Sequence, residues 1–382
     1  MLPAQYCSDQ KGGVMKPISP DGDLTIPIHT SVIFSMNTPS TDSGLQYGRI
    51  GNRTRQALEE ELARVHKTNA GFVTSSGSSA IVSICLLLSA GSTIVHHTEL
   101  YDGTRRIFHS LLSKFGIRSI SCDFNNRADV LRELRNNSPT MIWIETPTNP
   151  SLRVIDIKNI AQAAHTRKSI VVVDTTMCSG IVQQPISLGA DIVVESLTKA
   201  LNGHSDALGG FIGTDNASIE KQLRSIIQTI GPVLSPWECS LILRGLKTAA
   251  LRIHAQQQNA MRVSKWLLHN PHISSVMTPG SFNNIEEHIR KSQMCGKGVL
   301  VSFILHKNID PHRFITALRF IHIAHSFGGT ETLIQQPSTM MDNSIVPVLQ
   351  RPTDHLFRLS IGLDHVQDII RDLRQAIEHG AG

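Results

Sequence analysis

What this 382-residue chain lacks narrows the field first. Aromatic residues make up 5% of it, so its core must be largely aliphatic. Its six cysteines, at 7, 85, 122, 178, 239 and 295, stand far apart and form no C-x-x-C pair. That spacing argues against a disulfide framework and suits a reducing, cytoplasmic compartment. The eighteen histidines are scattered, and neither His96-His97 nor His322/His325 has cysteine or carboxylate company at metal-ligand spacing, so no metal site is expected. The net charge of +5 is spread along the chain without a lysine or arginine block, which argues against nucleic acid as a partner. No N-terminal signal and no apolar run of membrane-spanning length is evident, so a soluble protein without a membrane partner is expected.

Its length fits two domains with a short arm. Residues 1–53, rich in Pro, Gly, Ser and Asp, read as an irregular arm that packs on something else. From Thr54 a helix is predicted, because Leu58, Leu62 and Val65 share one face and Glu59, Glu60 and Glu61 fall in its early turns. Apolar runs then alternate with helix-like stretches: GFVTSS (71–76), STIVHH (92–97), TMIWIET (140–146), SIVVVDTT (169–176), ADIVVES (190–196) and LGGFIGT (208–214). Runs that are continuously apolar predict strands covered on both faces, hence an α/β domain with a mostly parallel sheet over residues 54–248. Ligands of such a sheet bind at the carboxyl ends of its strands. A helix-like stretch over 246–270 leads into a smaller α+β domain, residues 249–382, with a strand in GVLVSFIL (298–305) and a final helix over 366–380.

The most informative stretch is VESLTKALNGHSDALGG, residues 194–210. Lys199 follows two hydroxyl residues, Ser196 and Thr198, at the end of a β-branched run. A lysine is a poor nucleophile while protonated, near pKa 10.4 in water. In a site that disfavours its charge it becomes an amine able to form a Schiff base. With hydroxyls beside it to hold a phosphate, that is the minimum for pyridoxal phosphate, although most strand-end lysines are solvated cations. Ser76-Gly77-Ser78-Ser79 opens a helix; by itself it reads as an N-cap, and paired with Ser196 and Thr198 it supplies the other half of a phosphate cup. Asp174 ends a strand, where it suits a protonated pyridine nitrogen or a helix cap equally. Tyr101 suits ring stacking and proton donation, or a place in the core. Asn149 suits a ring hydroxyl, or the turn that T-N-P signals. Arg358 lies in an apolar run and needs a carboxylate partner, either an internal one or that of a substrate. Ser326-Phe327-Gly328-Gly329 is a tight turn able to set backbone groups against such a carboxylate.

Taken in order, YGRIGNRT, SSGSSA, LYDGTRRIF, ETPTNP, VVVDTT, ESLTKALNGHSDALGG, LRGLKT, SFGGTETLIQQP and LFRLSIGLD resemble the cysteine/methionine-metabolism (transsulfuration) family of pyridoxal-phosphate enzymes, over residue 25 to the end. The resemblance implies the aspartate-aminotransferase-like fold (fold type I), a seven-stranded-type sheet, and a homotetramer made of tight dimers with shared active sites. Position by position, Lys199 resembles the Schiff-base lysine that shuttles protons among Cα, Cβ and Cγ. Asp174 resembles the pyridine-nitrogen partner and Tyr101 the stacking tyrosine. Gly77, Ser78, Ser196 and Thr198 resemble phosphate ligands, and Tyr47 and Arg49 the pair that reaches the phosphate of the neighbouring subunit. Asn149, Ser326 and Arg358 resemble substrate-side residues.

The family pattern is broken at Arg53, where it has proline, at Thr175 and Met177 in its D-N-T-F segment, at Asp102 in its Y-G-G-T turn, and at Met341. Gln46 and His325 stand where enzymes acting on cystathionine commonly carry acids, which weakens that substrate; Gly103, in place of a cysteine, weakens a methionine γ-lyase. The resemblance implies γ- or β-elimination or replacement on a sulfur amino acid or an O-acylhomoserine-type substrate, with Cγ chemistry of synthase or lyase type favoured. The alternatives are a γ-substitution enzyme of specialised metabolism with a non-thiol nucleophile, a methionine γ-lyase-like enzyme, and a non-catalytic relative, which would be expected to have lost some of Lys199, Asp174, Tyr101 and Arg358.

Overall fold

The apolar runs become strands because residues that alternate between the two faces of a pleat are apolar on both, leaving no face for water. The computed structural model describes residues 22–36, 45–340 and 351–382. Its larger sheet holds β1 (Ala70–Thr74), β2 (Thr93–His97), β3 (Arg118–Cys122), β4 (Met141–Glu145), β5 (Ile170–Asp174), β6 (Ile192–Ser196) and β7 (Gly210–Thr214), in the order β1-β7-β6-β5-β4-β2-β3. Pairings among β2 to β6 are parallel, and β7 runs antiparallel to both of its neighbours. All five residues of β4 are buried.

β3 had no counterpart among the six apolar runs. Its sequence, RSISC, sits at the sheet edge with only Cys122 buried, so it lacks the hydrophobic signal of an inner strand. Helix α1 (Arg53–His66) starts after Asn52, whose side chain accepts from the Arg55 N–H at 3.1 Å. Leu58 and Leu62 on its inner face are fully buried. Helix α2 (Gly77–Cys85) begins at a reciprocal cap between Ser76 and Ser79.

The smaller sheet holds β8 (Ile273–Met277), β9 (Leu300–Leu305), β10 (His322–Ile323), β11 (Leu333–Gln335) and β12 (Leu356–Ser360), in the order β10-β11-β12-β9-β8. Helix α3, Pro236–Leu268, starts ten residues before the stretch that periodicity suggested, with Ser235 as cap and Pro236 at its first position. A proline suits that place because its missing N–H would be unpaired anyway. Val263 and Leu267 of α3 pack with Phe303, Phe357 and the inner face of helix α4, Val366–Ala381. At the junction of the two sheets Leu152, Val154 and Met177 meet Ala200, Ile253 and Phe327 in one apolar cluster. The expected departure at Met341 and much of the N-terminal arm lie outside the described residues. No described helix is long and apolar enough to cross a membrane.

Candidate active site

Register explains where the site forms. Thr74 of β1 and Ser196 of β6 both pair with Gly210, the first residue of β7, so the carboxyl ends of β1 and β6 share one edge. Asp174 pairs with Val194 and Glu145 with Asp174, which brings the ends of β5 and β4 to the same edge. A cleft of about 320 Å³ opens there. Gly77, Ser78, Tyr101, Asn149, Asp174, Ser196, Thr198, Lys199 and Arg358 all line it, although up to 281 positions separate them in the chain (358 − 77).

One wall is a hydroxyl lattice at the start of α2. Ser76 and Ser79 cap each other, which leaves the first-turn N–H groups of Gly77 and Ser78 unused by the cap. A Cβ on Gly77 would lie 3.0 Å from Ser196 Cβ and 3.1 Å from its Oγ, so a side chain there would crowd the approach that glycine leaves open. Opposite, the Ser196 N–H donates to Thr176 Oγ1 at 2.9 Å, and the Gly209 N–H donates to Thr198 Oγ1 at 3.2 Å. Unused N–H groups at a helix start, beside two hydroxyls, suit a phosphate.

The floor carries two carboxylates in register. Asp174 accepts the Thr176 N–H at 2.9 Å and has no cation at ion-pair distance among the described residues. Burial pushes its carboxyl up to about 6, against the pull of the Thr176 hydrogen bonds. A buried carboxylate held this way calls for a cation, and a protonated ring nitrogen is one. Glu145, absent from the candidates named from sequence, accepts the Tyr101 N–H at 2.8 Å. Burial, then the neighbouring Asp174 charge, holds Glu145 well above the usual carboxylate range. The signal that pointed to Asp174, an acid ending an apolar run, was present in TMIWIE as well.

Lys199 stands in the turn after β6. Its Nζ donates to Ser326 Oγ at 3.2 Å and lies 4.9 Å from the centre of the Phe327 ring. Burial, and then the Arg358 charge, lower its pKa to about 8. That amine exists partly neutral near physiological pH, as a nucleophile or base must. The turn is clamped from α3: Arg252, buried, donates to the carbonyls of Ala200, Leu201 and Asn202 at 3.0, 3.1 and 3.2 Å. One helical turn on, Gln256 donates to Gly329 O at 2.6 Å, fixing the Ser326 turn to the same helix. Gly328 takes φ +81°, and a Cβ there would reach Ala200 N at 2.7 Å. The two loops therefore interlock beside the lysine.

Arg358 arrives from the smaller sheet. It pairs in register with Gln335 of β11 and Ser302 of β9, and this row faces the cleft. Its guanidinium donates to Asn149 Oδ1 and Gln335 Oε1, each at 2.5 Å. Both partners are neutral, Nε has no hydrogen-bond partner, and no carboxylate lies at ion-pair distance among the described residues. The choice left open by sequence, an internal acid or an outside one, goes against the internal acid. Burial lowers this guanidinium to about 10, with Glu145 opposing. Ser302 donates to Pro150 O at 2.7 Å and so ties the Asn149 loop to the smaller sheet. Gln335, Ser302, Thr176 and Arg252 carry no chemical signal in sequence; register and packing alone bring them here.

Two candidates lie elsewhere. Tyr47 and Arg49 do not line the cleft, and the Arg49 guanidinium instead donates to Gln228 O and lies 5.6 Å from the Tyr47 ring centre. Tyr101 is 48% exposed, which excludes the core role, and its ring covers Gly103, where an added Cβ would lie 2.3 Å from Cε1.

The carboxylate without a cation, the cradle that a Cβ would fill and the partly neutral lysine fit pyridoxal phosphate. Comparison with known proteins agrees. Residues 14–378 match the model of a family described as Cys/Met metabolism PLP-dependent enzymes. Over 363 residues the chain is 37% identical to a cystathionine gamma-lyase of Dictyostelium discoideum, covering 94% of this chain and 93% of that one. It is 35% identical over 360 residues to a cystathionine beta-lyase of Lactococcus lactis subsp. cremoris, covering 94% of each. Among solved structures it is similar to a cystathionine gamma synthase from Xanthomonas oryzae pv. oryzae in complex with cystathionine, with a TM-score of 0.91, 32% identity and 96% of each chain covered.

Proposed function

This chain belongs to the Cys/Met-metabolism family of pyridoxal-phosphate enzymes, and from that premise we propose that it acts at Cγ of an amino acid with a sulfur or acyloxy leaving group, breaking or forming a thioether of the cystathionine type. The observation that carries this reading is the pairing of a partly neutral Lys199 amine with an Arg358 guanidinium that lacks a protein carboxylate, both in one cleft. An α-amino acid with its carboxylate on Arg358 and Asn149 presents its α-hydrogen to Lys199. A bidentate contact to that guanidinium both binds and orients the substrate.

Lys199 holds the cofactor at rest, and Gly77, Ser78, Ser196 and Thr198 take its phosphate. Asp174 would pair with its protonated ring nitrogen, and Tyr101 would support its ring. When bound, pyridoxal phosphate supplies an electron sink that makes the α-hydrogen acidic. Lys199 then removes that proton and carries protons among Cα, Cβ and Cγ, while Ser326 steadies its Nζ between transfers. Phe327, buried in the cleft wall with its ring 4.9 Å from Nζ, keeps water from the amine.

We infer, from the family resemblance, a cytoplasmic homotetramer of tight dimers, in which Tyr47 and Arg49, absent from the lining of their own cleft, would reach the phosphate of a second copy. The described cysteines, Cys85, Cys122, Cys178, Cys239 and Cys295, are all free thiols, which agrees with a reducing compartment.

One panel tests the reaction. Cystathionine, homocysteine, methionine, cysteine and O-acylhomoserines are offered with and without a thiol, and 2-oxo acid is scored against thioether product. Turnover confined to substrates whose leaving group sits on Cγ is the expected outcome. Turnover of cysteine alone, or of none of them, would overturn the reading.

A further inference from the structure

Behind the cleft lies a pair of buried ionisable groups with no part in the chemistry described so far. His66 is the last residue of α1, and Glu195 precedes Ser196 on β6. Both are 0% exposed, and His66 Nε2 makes an ion-pair contact with Glu195 Oε2 at 3.1 Å. The same carboxylate oxygen accepts the Gly180 N–H at 2.8 Å. The His66 ring stacks on Phe211 of β7, with centroids 4.6 Å apart. Gly180 comes so close to that ring that an added Cβ would lie 2.4 Å from Cε1. A buried ion pair is weak evidence of stability, since taking two charges out of water costs about as much as their attraction returns. Its place in the fold gives it other work.

We propose that His66 and Glu195 are positioning residues for the cofactor, a latch that holds the turn carrying Asp174 and Thr176 against the strand carrying Ser196, from the face opposite the cleft. This rests on the reading that Asp174 pairs with the ring nitrogen and Ser196 takes the phosphate. Side chains alternate between faces along β6. Val194 packs in the core with Ile81 and Ile84 of α2, and Val193 in the core with Leu58 and Leu62 of α1. Ser196 therefore shares the cleft face with Val194, and Glu195 shares the α1 face with Val193. Gly180 belongs to the turn that leaves β5 at Asp174. Ser179 in that turn takes φ +73°, a strained conformation that persists only where neighbours hold it. Past the last β5–β6 pair, the Thr175 N–H donates to Val194 O at 3.0 Å. The turn is then tied to β6 on the cleft face by the Ser196 N–H to Thr176 Oγ1, and on the other face by the Gly180 N–H to Glu195. His66 holds that carboxylate in place from α1. Ring-nitrogen and phosphate contacts keep their spacing only while turn and strand stay in register, and a cofactor site needs that fixity.

The test replaces both members with apolar groups, His66→Phe/Glu195→Leu, and adds His66→Phe alone, which keeps a ring against Phe211 but takes the imidazole from Glu195. The double variant leaves no unpaired buried charge, so without cofactor it should melt within about 5 °C of the native apoprotein. Pyridoxal phosphate titrated into each full-length protein, followed by its visible absorbance, should nevertheless bind at least about fivefold more weakly in both variants. With cofactor saturating, KM for the best substrate of the panel, set by Arg358 on the other sheet, should move by less than about twofold. That split separates positioning from mere support of the fold, which would lower the melting temperature and leave the affinity of the folded protein alone. Cofactor affinity within about twofold of native in the folded double variant, or in His66→Phe should the double variant not fold, overturns the proposal. A KM that rises in step with the cofactor Kd marks general loosening and overturns it too. A native protein that takes up no pyridoxal phosphate removes the cofactor reading itself, and the proposal with it.

Discussion

The floor of the cleft and its mouth are built on different principles. On the floor Asp174 and Glu145 end their strands, Lys199 stands in the turn after β6 and Arg358 sits in the middle of β12; all four are held by named hydrogen bonds and have pKa values moved chiefly by burial. At the mouth Tyr101 is 48% and Leu208 56% exposed, and His325 is exposed too. Desolvated charge is expensive and is kept only where it acts, so the floor fixes which bond breaks. The mouth is wetter and cheaper to alter, so it decides which molecule arrives. The departures from the family pattern cross this division. Asp102 and His325 line the more exposed end of the cleft, whereas Met177 lines it buried near Asp174; the lysine, acid and arginine of the floor are kept.

The sharpest way to break that contrast is to remove the amine. Lys199→Ala should lower kcat by at least about 10³-fold. Borohydride should fix the cofactor onto position 199 of the native protein and nowhere in the variant, as peptide mapping would read; a label on another lysine would end this assignment. Arg358→Ala comes next: KM for α-amino acids should rise by roughly 10²-fold, with a smaller fall in kcat, since a buried guanidinium contact is being lost. Arg252→Met tests whether the floor depends on its clamp. Its kcat should fall by about 10-fold or more with KM little changed, because Lys199 is left correctly charged but poorly aimed. Unaltered kcat in a folded Arg252→Met would show that the turn holds without α3.

Asp174→Asn separates stability from function. The folded carboxyl is raised from its ordinary value to about 6, so the stability it contributes is full at low pH and is lost as pH rises through that value. At pH 8 the cofactor-free variant should therefore melt a few degrees above the native apoprotein, yet bind the cofactor far more weakly. A lower melting temperature at pH 8 would contradict the burial argument. The smallest effect belongs to the mouth. His325→Glu should change KM for the best substrate of the panel by only about two- to fivefold, the scale of an exposed ion pair. A far larger change would mean that the mouth closes more tightly than its exposure implies.

How much of this was legible beforehand follows from physical range. β4, β5 and β6 were readable because an inner strand must be apolar on both faces, whereas β3, on the sheet edge, had no such signal. Asp174 and Lys199 were readable because a charged group ending an apolar run is locally anomalous. Glu145 carries the same anomaly at the end of TMIWIE. Gln335 and Ser302 could not be found that way, since ordinary polar residues gain meaning only as register partners of Arg358.

Residue order alone determined the alternation of strand and helix, the lysine with its hydroxyl neighbours and the family to which they point, because these depend on periodicity and on neighbours a few positions apart. Tertiary structure decided the rest. It set an arginine from one sheet opposite a lysine from the other, stripped water from both, and gave Arg358 two neutral partners in place of an acid. Electrostatic strength depends on burial and on distances between chain-distant groups, and neither is written in any local run of residues.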